Sequence, residues 1–278
     1  MTTEVDTSRF VKANDINLHY HEMGDPSGEP IVWIHGGGPG ATALSNFSRN
    51  MPGMSAYRNL LFDMPQYGQS DKPPINEPRL AFNARHVIAA LDTLGLDKAH
   101  FVGNSMGGGT STKVAMLAPE KVDRLVLMGA AGVFPAGMEM PKGIELLMSY
   151  FEADGASPEK MAELIRTFVY DSSVLTDELI QSRYEASIDP EILASRAASE
   201  PMGLEDLTDG LSDVQSTTLL LWGRDDQFVP LESGLAFERG IADARLFVVP
   251  QCGHWVQWEH VELFNSLVKQ FISGDLDG

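Results

Sequence analysis

The residues Gly103-Asn104-Ser105-Met106-Gly107 constrain this chain more than any other stretch. They follow a short apolar run, 99–102, and lead into a run of small residues that can only begin a helix. Glycines two positions either side of a serine, between a strand and a helix, form the pattern of a nucleophile elbow. The turn is so sharp that the serine backbone is strained and its neighbours come too close for a Cβ. The hydroxyl projects from the turn, and the helix N-terminus behind it favours developing negative charge. By itself the motif fits an ordinary Gly-rich turn as well as a nucleophile. Partners elsewhere in the chain decide between the two.

The surrounding pattern is that of an open sheet. Residues 30–35, 60–64 and 124–128 are short continuous apolar runs, the mark of buried parallel strands. Residues 79–94 carry Leu80, Val87, Ala90, Leu91 and Leu94 near helical spacing, and Gly95 stops them. The helix behind Ser105 runs to Leu117, and Pro119 closes it. Strand, helix and strand alternate from 30 to 129, which predicts a parallel sheet with right-handed crossovers. Before it, residues 17–23 alternate as an antiparallel edge strand. His19 and His21 share a face of that strand; with no acid or cysteine placed nearby, they read as packed or solvent-facing histidines.

Residues 132–213 contain no strand-like run. Helical segments are expected at 143–152, 158–170, 177–186 and 190–199. Four of the 13 methionines fall between Met138 and Met161 and are expected to pack rather than bind ligand. Strands resume at 217–222 and 244–249, an amphipathic helix follows at 259–272, and a polar tail, 273–278, is expected to be disordered. The predicted architecture is therefore α/β: a mostly parallel central sheet with helices on both faces. Residues 1–131 and 214–278 form the core domain, and 132–213 an inserted helical cap.

The chain of 278 residues, 43% hydrophobic and 21% charged, has enough apolar material for one large α/β core. Its formal net charge of -19 repels phosphate backbones and anionic membranes, so neither nucleic acid nor a membrane is an expected partner. The same field repels an anionic ligand, which would need local arginine or amide donors. No apolar run reaches membrane-spanning length, and the N-terminus lacks a basic-then-apolar signal pattern. The one cysteine, Cys252, excludes an intrachain disulfide. A cytoplasmic location is expected.

The loop His35-Gly36-Gly37-Gly38-Pro39-Gly40-Ala41 imitates a dinucleotide fingerprint through Gly36, Gly38 and Ala41, with Asp63 as a ribose-binding acid. Pro39 interrupts it, residues 42–50 make a poor crossover helix, and its strand is not the first element. Such a loop can instead supply an N–H to an oxyanion hole. A serine nucleophile needs a base, and the base needs an acid. Asp225 and Asp226 follow one strand and His254 follows another, in the Ser, Asp, His order of α/β-hydrolases. Loop, elbow, acid and histidine together indicate a serine hydrolase. Spacing leaves Asp225 and Asp226 both open. His260 reads as a surface residue and Cys252 as packing. Met106 would give one oxyanion N–H, and Gly37 or Gly38 the other.

With these residues in view the chain resembles the meta-cleavage product hydrolases, carbon–carbon bond hydrolases of aromatic degradation. The resemblance rests on the loop with Ser45-Asn46-Phe47, on Gly103-Asn104-Ser105-Met106-Gly107-Gly108, on Trp222-Gly223-Arg224-Asp225-Asp226-Gln227-Phe228-Val229-Pro230, and on Cys252-Gly253-His254-Trp255-Val256-Gln257-Trp258-Glu259-His260. It implies a 2-hydroxy-6-oxohexa-2,4-dienoate substrate and a Ser105, Asp226, His254 triad, with Asp226 and not Asp225 as the acid. It implies dienoate contacts from Asn46, Asn104, Arg183 and Trp255, with Gly37, Gly38 and Met106 around the oxygen sites. No cofactor or metal is implied, and a homodimer or larger assembly is. Without the resemblance Arg183 would read as a surface partner of Glu178 or Glu185; with it, a carboxylate facing this acidic protein gains a fixed guanidinium. Ile144, Leu147, Phe168, Phe228 and Val229 are apolar candidates for the pocket of the C6 substituent, equally compatible with core. They suit an aryl group, as in biphenyl or dibenzofuran breakdown. Gln66 departs from the family, where many members have glycine, and sequence alone gives it no role.

Overall fold

The computed structural model describes residues 7–152, 154–200 and 205–277. Its sheet has strands β1 (Ser8–Ala13), β2 (Ile16–Gly24), β3 (Pro30–Ile34), β4 (Arg58–Phe62), β5 (Ala99–Asn104), β6 (Val122–Met128), β7 (Thr217–Gly223) and β8 (Ala244–Val249). Their spatial order is β1-β2-β4-β3-β5-β6-β7-β8. β2 runs antiparallel to β1 and β4, and every other pairing is parallel. The strand expected at the edge is thus one place in. β1, which shields it, escapes a pattern reading because half its residues face solvent.

Strand alternation divides the core in two. Val32, Ile34, Phe101, Leu125 and Leu127 face one way, toward α2 (Arg79–Thr93), α3 (Met106–Leu117) and α8 (Leu231–Gly240). Ile31, Trp33, Val102, Val126 and Met128 face the other, toward α1 (Ala43–Phe47) and α10 (Val261–Ile272). Helices therefore cover both faces, as parallel crossovers require. α8 carries no clean stripe because Gly234 stands inside it; the Trp222 indole lies where a side chain would project. The helix expected at 259–272 breaks at His260 into α9 (Val256–Glu259) and α10.

Between β6 and β7 the described residues hold no strand. They form α4 (Lys142–Ser149), α5 (Pro158–Thr167), α6 (Asp177–Ser187) and α7 (Pro190–Ala198). Three of these start where the sequence gives a cap: Ser157, Thr176 and Asp189 accept from backbone N–H groups of the first turn. Met161 is fully buried, whereas Met140 and Met148 are exposed. The tail is not loose through Asp277: Arg124 binds its carboxylate with Nη1 and Nη2, at 2.7 and 2.5 Å. Among the described residues no helix is long and apolar enough to cross a membrane.

Asn59 ties this scaffold together without exposing any surface. Its Oδ1 accepts from Trp33 Nε1 at 2.9 Å, and its Nδ2 donates to the Met54 carbonyl at 2.9 Å and the Tyr57 carbonyl at 3.0 Å. Asn59→Leu orphans the Trp33 Nε1 donor in the interior and strips one donor each from the Met54 and Tyr57 carbonyls, which keep the Tyr57 and Asp25 N–H groups. Denaturant melts should show a loss of roughly 2–4 kcal/mol; a loss below 0.5 kcal/mol (the ordinary range for surface changes, about that size) would contradict this account.

Candidate active site

The C-terminal ends of β3, β5, β6, β7 and β8 bring the site together. Ser105 takes φ 56° and ψ −119° between β5 and α3. Its N–H donates to the Met128 carbonyl at 2.8 Å, and its carbonyl accepts from Gly109 and Ala131, both at 3.0 Å. A Cβ on Gly103 would strike the Gly107 backbone, and one on Gly107 the Ile34 carbonyl. The glycines of the motif are demanded by this close approach.

His254 Nδ1 donates to Asp226 Oδ2 at 2.7 Å, and neither side chain is exposed. The other carboxylate oxygen accepts from Phe228 and Val229 N–H at 2.7 and 3.0 Å. Asp226 is therefore the acid facing the histidine. Asp225 instead approaches Arg224, at 3.7 Å. Nδ1 is assigned its proton because its partner is a carboxylate. Nε2 is buried and makes no hydrogen bond among the described residues. It does not bond Ser105 here; catalytic hydrogen bonds of this kind tighten on forming the reactive complex. The histidine loop is held from two sides: His254 N–H donates to the Phe168 carbonyl at 2.8 Å, and Gly253 N–H to Glu259 Oε2 at 2.7 Å. Glu259 Oε1 also takes the Tyr170 and Asp171 N–H groups, so one carboxylate fastens residues 168–171 to the base.

The glycine loop lies against the elbow. A Cβ on Gly37 would come within 3.2 Å of Met106 Cβ. Met106 is the first residue of α3, where N–H groups lack helical acceptors. His35 fixes the loop: Nε2 accepts from Met64 N–H at 3.0 Å, so Nδ1 carries the proton and donates to the Gly36 carbonyl at 2.7 Å. Tyr67 donates to the Gly37 carbonyl and Asn46 accepts from Gly36 N–H. Asp63, the ribose acid of a dinucleotide reading, is bound to His19 and to the start of α1. His19 is buried there, its other ring nitrogen on Ser8.

A cavity of about 240 Å³ joins these parts. Gly37, Gly38, Asn46, Asn104, Ser105 and Met106 line it from the core, and Ile144, Leu147, Phe168 and Arg183 from the segment between β6 and β7, with Trp255. Arg183 is 1% exposed and has no carboxylate partner among the described residues. Its Nε donates to the Pro39 carbonyl at 3.0 Å, its Nη1 is unsatisfied, and its guanidinium lies 5.7 Å from the Trp255 ring centre. Burial pulls its pKa down to about 10, still protonated at neutral pH. Asn104 likewise keeps Oδ1 buried and unbonded beside the cavity.

Two expectations need correction. Phe228 and Val229 do not line the cavity. Phe228 stacks behind Phe168, ring centres 4.0 Å apart, and Phe168 stacks on Trp255 at 4.5 Å. The two residues act on Asp226 through their N–H groups, a role set by the turn and hidden from a hydropathy reading. Other wall residues were not anticipated: Tyr67, Arg79, Leu80, Phe134 and Glu205. Gly129 was also unsuspected; a Cβ there would sit 2.6 Å from His254 Nδ1 and 3.0 Å from Asp226 Oδ2. Its position directly after β6 was the available signal. Gln66, at φ 72°, accepts from Arg79 at 2.6 Å and donates to Pro73, Ser195 and Ser199. It pins α7 to the core. Cys252 is buried, and burial, then the nearby Glu259 charge, pushes its thiol pKa up, so it stays protonated.

A strained serine at a strand end, facing a loop of N–H donors and flanked by an acid-bound histidine, is the layout of an alpha/beta hydrolase. The 2-hydroxy-6-oxo-6-phenylhexa-2,4-dienoate hydrolase of Comamonas testosteroni is 41% identical over 283 aligned positions, spanning 97% of this chain and 98% of that one. The 2-hydroxy-6-oxononadienedioate/2-hydroxy-6-oxononatrienedioate hydrolase of the same species is 39% identical, spanning 97% and 98%. The structure of the meta-cleavage product hydrolase CumD of Pseudomonas fluorescens superposes with a TM-score of 0.83 at 35% identity, covering 96% of this chain and 98% of that one. The chain belongs to the alpha/beta hydrolase fold family, whose model matches residues 29–261, and within it to the meta-cleavage product hydrolases.

Two tests address this geometry. Gly129→Ala should push His254 off Asp226 and lower kcat about 10²-fold with the fold retained; an unchanged kcat would mean that the pair tolerates displacement. Burial, opposed by the Asp63 charge and the Gly36 hydrogen bond, lowers the His35 pKa below 6.5. The folded state thus keeps His35 neutral while the unfolded chain protonates. Stability should be full above pH 6.5 and fall below it, by up to about 1.4 kcal/mol per pH unit. Urea melts at pH 7.5, 6.0 and 5.0 measure this, and His35→Gln should flatten the slope.

Proposed function

We propose that this enzyme hydrolyses the C5–C6 bond of 2-hydroxy-6-oxo-6-aryl-hexa-2,4-dienoates, with Ser105, Asp226 and His254 as its triad. The observation that carries this reading is Arg183: a buried guanidinium with its Nη1 unsatisfied and no acid beside it among the described residues, in the same cavity as Ser105. A charge so placed in a protein of net charge -19 calls for a carboxylate ligand.

The chemistry follows from the poor leaving ability of carbon. A proton first moves from the 2-hydroxyl to C5, giving the 2,6-dioxo form. Ser105 Oγ then attacks C6 as His254 takes its proton, and Gly37 and Met106 N–H groups receive the oxyanion. The C5–C6 bond breaks, and its electron pair delocalises through the unsaturated 2-oxo acid. A proton returns to the 2-oxygen, releasing 2-hydroxypenta-2,4-dienoate. Water, deprotonated by His254, cleaves the acyl-serine to an aromatic acid such as benzoate. Gly38, Asn46, Asn104 and Trp255 would hold the dienoate with Arg183. Residues 132–213 would serve as a cap over the site.

For the C6 substituent, the apolar Ile144, Leu147, Leu80 and Phe134 favour an aryl group. Arg79 favours the alternative, a second carboxylate, because it also lines the cavity. Its guanidinium is already bonded to Gln66 and Pro65, however, and the Glu205 carboxylate shares that wall. We therefore expect kcat/KM at least tenfold higher for the 6-phenyl dienoate than for the nonadienedioate. The opposite ranking would overturn the aryl assignment alone. Hydrolysis of a nitrophenyl ester with both dienoates untouched would overturn the carbon–carbon reading. Arg183→Gln should cost about 2–4 kcal/mol in kcat/KM; Ser105→Ala should abolish turnover.

A further inference from the structure

A second cavity, of about 230 Å³, adjoins the first and shares Gly37, Tyr67, Ile144 and Leu147 with it. Its outer wall holds Met148, Phe151 and Arg196. Met148 is 63% exposed and Arg196 lies on the surface, so this cavity opens to solvent. Among the described residues Arg196 is the one charged side chain lining it. No ion pair involves Arg196 among the described residues. Its guanidinium lies over the Phe151 ring, 4.1 Å from the centroid. Stacked this way, it is confined in space while the N–H donors in its plane stay open to a carboxylate.

We propose that this second cavity is an entry vestibule, in which Arg196 on Phe151 captures the carboxylate of the incoming dienoate before it passes to Arg183. The inference rests on the anionic substrate proposed above. An anion approaching a surface of net charge -19 is repelled almost everywhere. A solvent-facing guanidinium that forms no ion pair among the described residues, though Asp154 lines the pocket on its outer side, makes a local exception beside the cavity that holds Ser105. The catalytic cavity is also lined by Glu205, which caps the N-terminus of α2 and pairs with Lys113. The favourable route for an anion thus runs from exposed Arg196 to buried Arg183. The shared wall is mostly apolar, as suits a substrate with a hydrophobic end. Gln66 serves the same route, since its bonds to Ser195 and Ser199 hold the Arg196 helix against the core.

The test uses full-length Ser105→Ala enzyme, which should bind the 6-phenyl dienoate without consuming it. Stopped-flow absorbance gives association and dissociation rates, with and without Arg196→Gln, at low and high salt. The second substitution should slow association roughly tenfold at low ionic strength and leave dissociation nearly unchanged. The difference should close at high salt, and Arg196→Lys should restore most of the rate. Equal association rates at low salt, with the dienoate bound in both proteins, would overturn the vestibule and leave the proposed substrate intact. Failure of Ser105→Ala to bind the dienoate at all would overturn both.

Discussion

The contact on which the site depends is the collision avoided at Gly107. The turn after β5 brings the start of α3 against the carbonyl end of β3, closer than any side chain permits. That approach sets the glycine loop beside Met106 and holds Ser105 in its left-handed conformation. Hydrogen bonds from Ser105 to Met128 and from Ala131 to Ser105 then draw the end of β6 into the same turn. Three neighbouring strand ends are locked by one backbone geometry. The strain at Ser105 persists because the sheet on both sides determines it.

Around that turn the protein keeps its charges sparse and fixed. Asp226 has both oxygens occupied, by His254 and by the N–H groups that follow it in the chain. The histidine therefore meets one rigid acid, which sets its tautomer and leaves Nε2 directed elsewhere. Arg183 is the opposite case: among the described residues it is buried without an acid and retains an unsatisfied donor. Under the proposed function the cost of burying such a group is offset when the substrate carboxylate arrives, so the feature that burdens the free fold would favour binding. Phe168 links the two halves, since it stacks on Trp255 and Phe228 while its carbonyl holds the His254 backbone.

Much of this was legible from residue patterns. Continuous apolar runs located the central strands, because strands buried on both faces admit little else. The helices between β6 and β7 were expected from the absence of strand-like runs there, and three of them begin at the Ser157, Thr176 and Asp189 caps. β1 was missed because an edge strand shows half its residues to water. α8 was missed because its glycine fits Trp222 rather than a hydrophobic stripe. Phe228 and Val229 were misread as pocket walls because hydropathy reports burial and says nothing about which neighbour a residue is buried against. Gln66 had no sequence rationale, since its partners Ser195 and Ser199 lie some 130 positions away.

Sequence by itself determined the elbow, the order of serine, acid and histidine, and the resemblance that names the bond to be cleaved. These are local or ordered along the chain, and local sterics and motif spacing carry them. Only the folded chain shows the Asp226–His254 contact that the resemblance implied and spacing left open, the room that Gly129 leaves for the pair, and an interior Arg183 with no acid among the described residues. Each of these depends on distances between segments far apart in the chain, which close packing fixes only once the sheet has assembled.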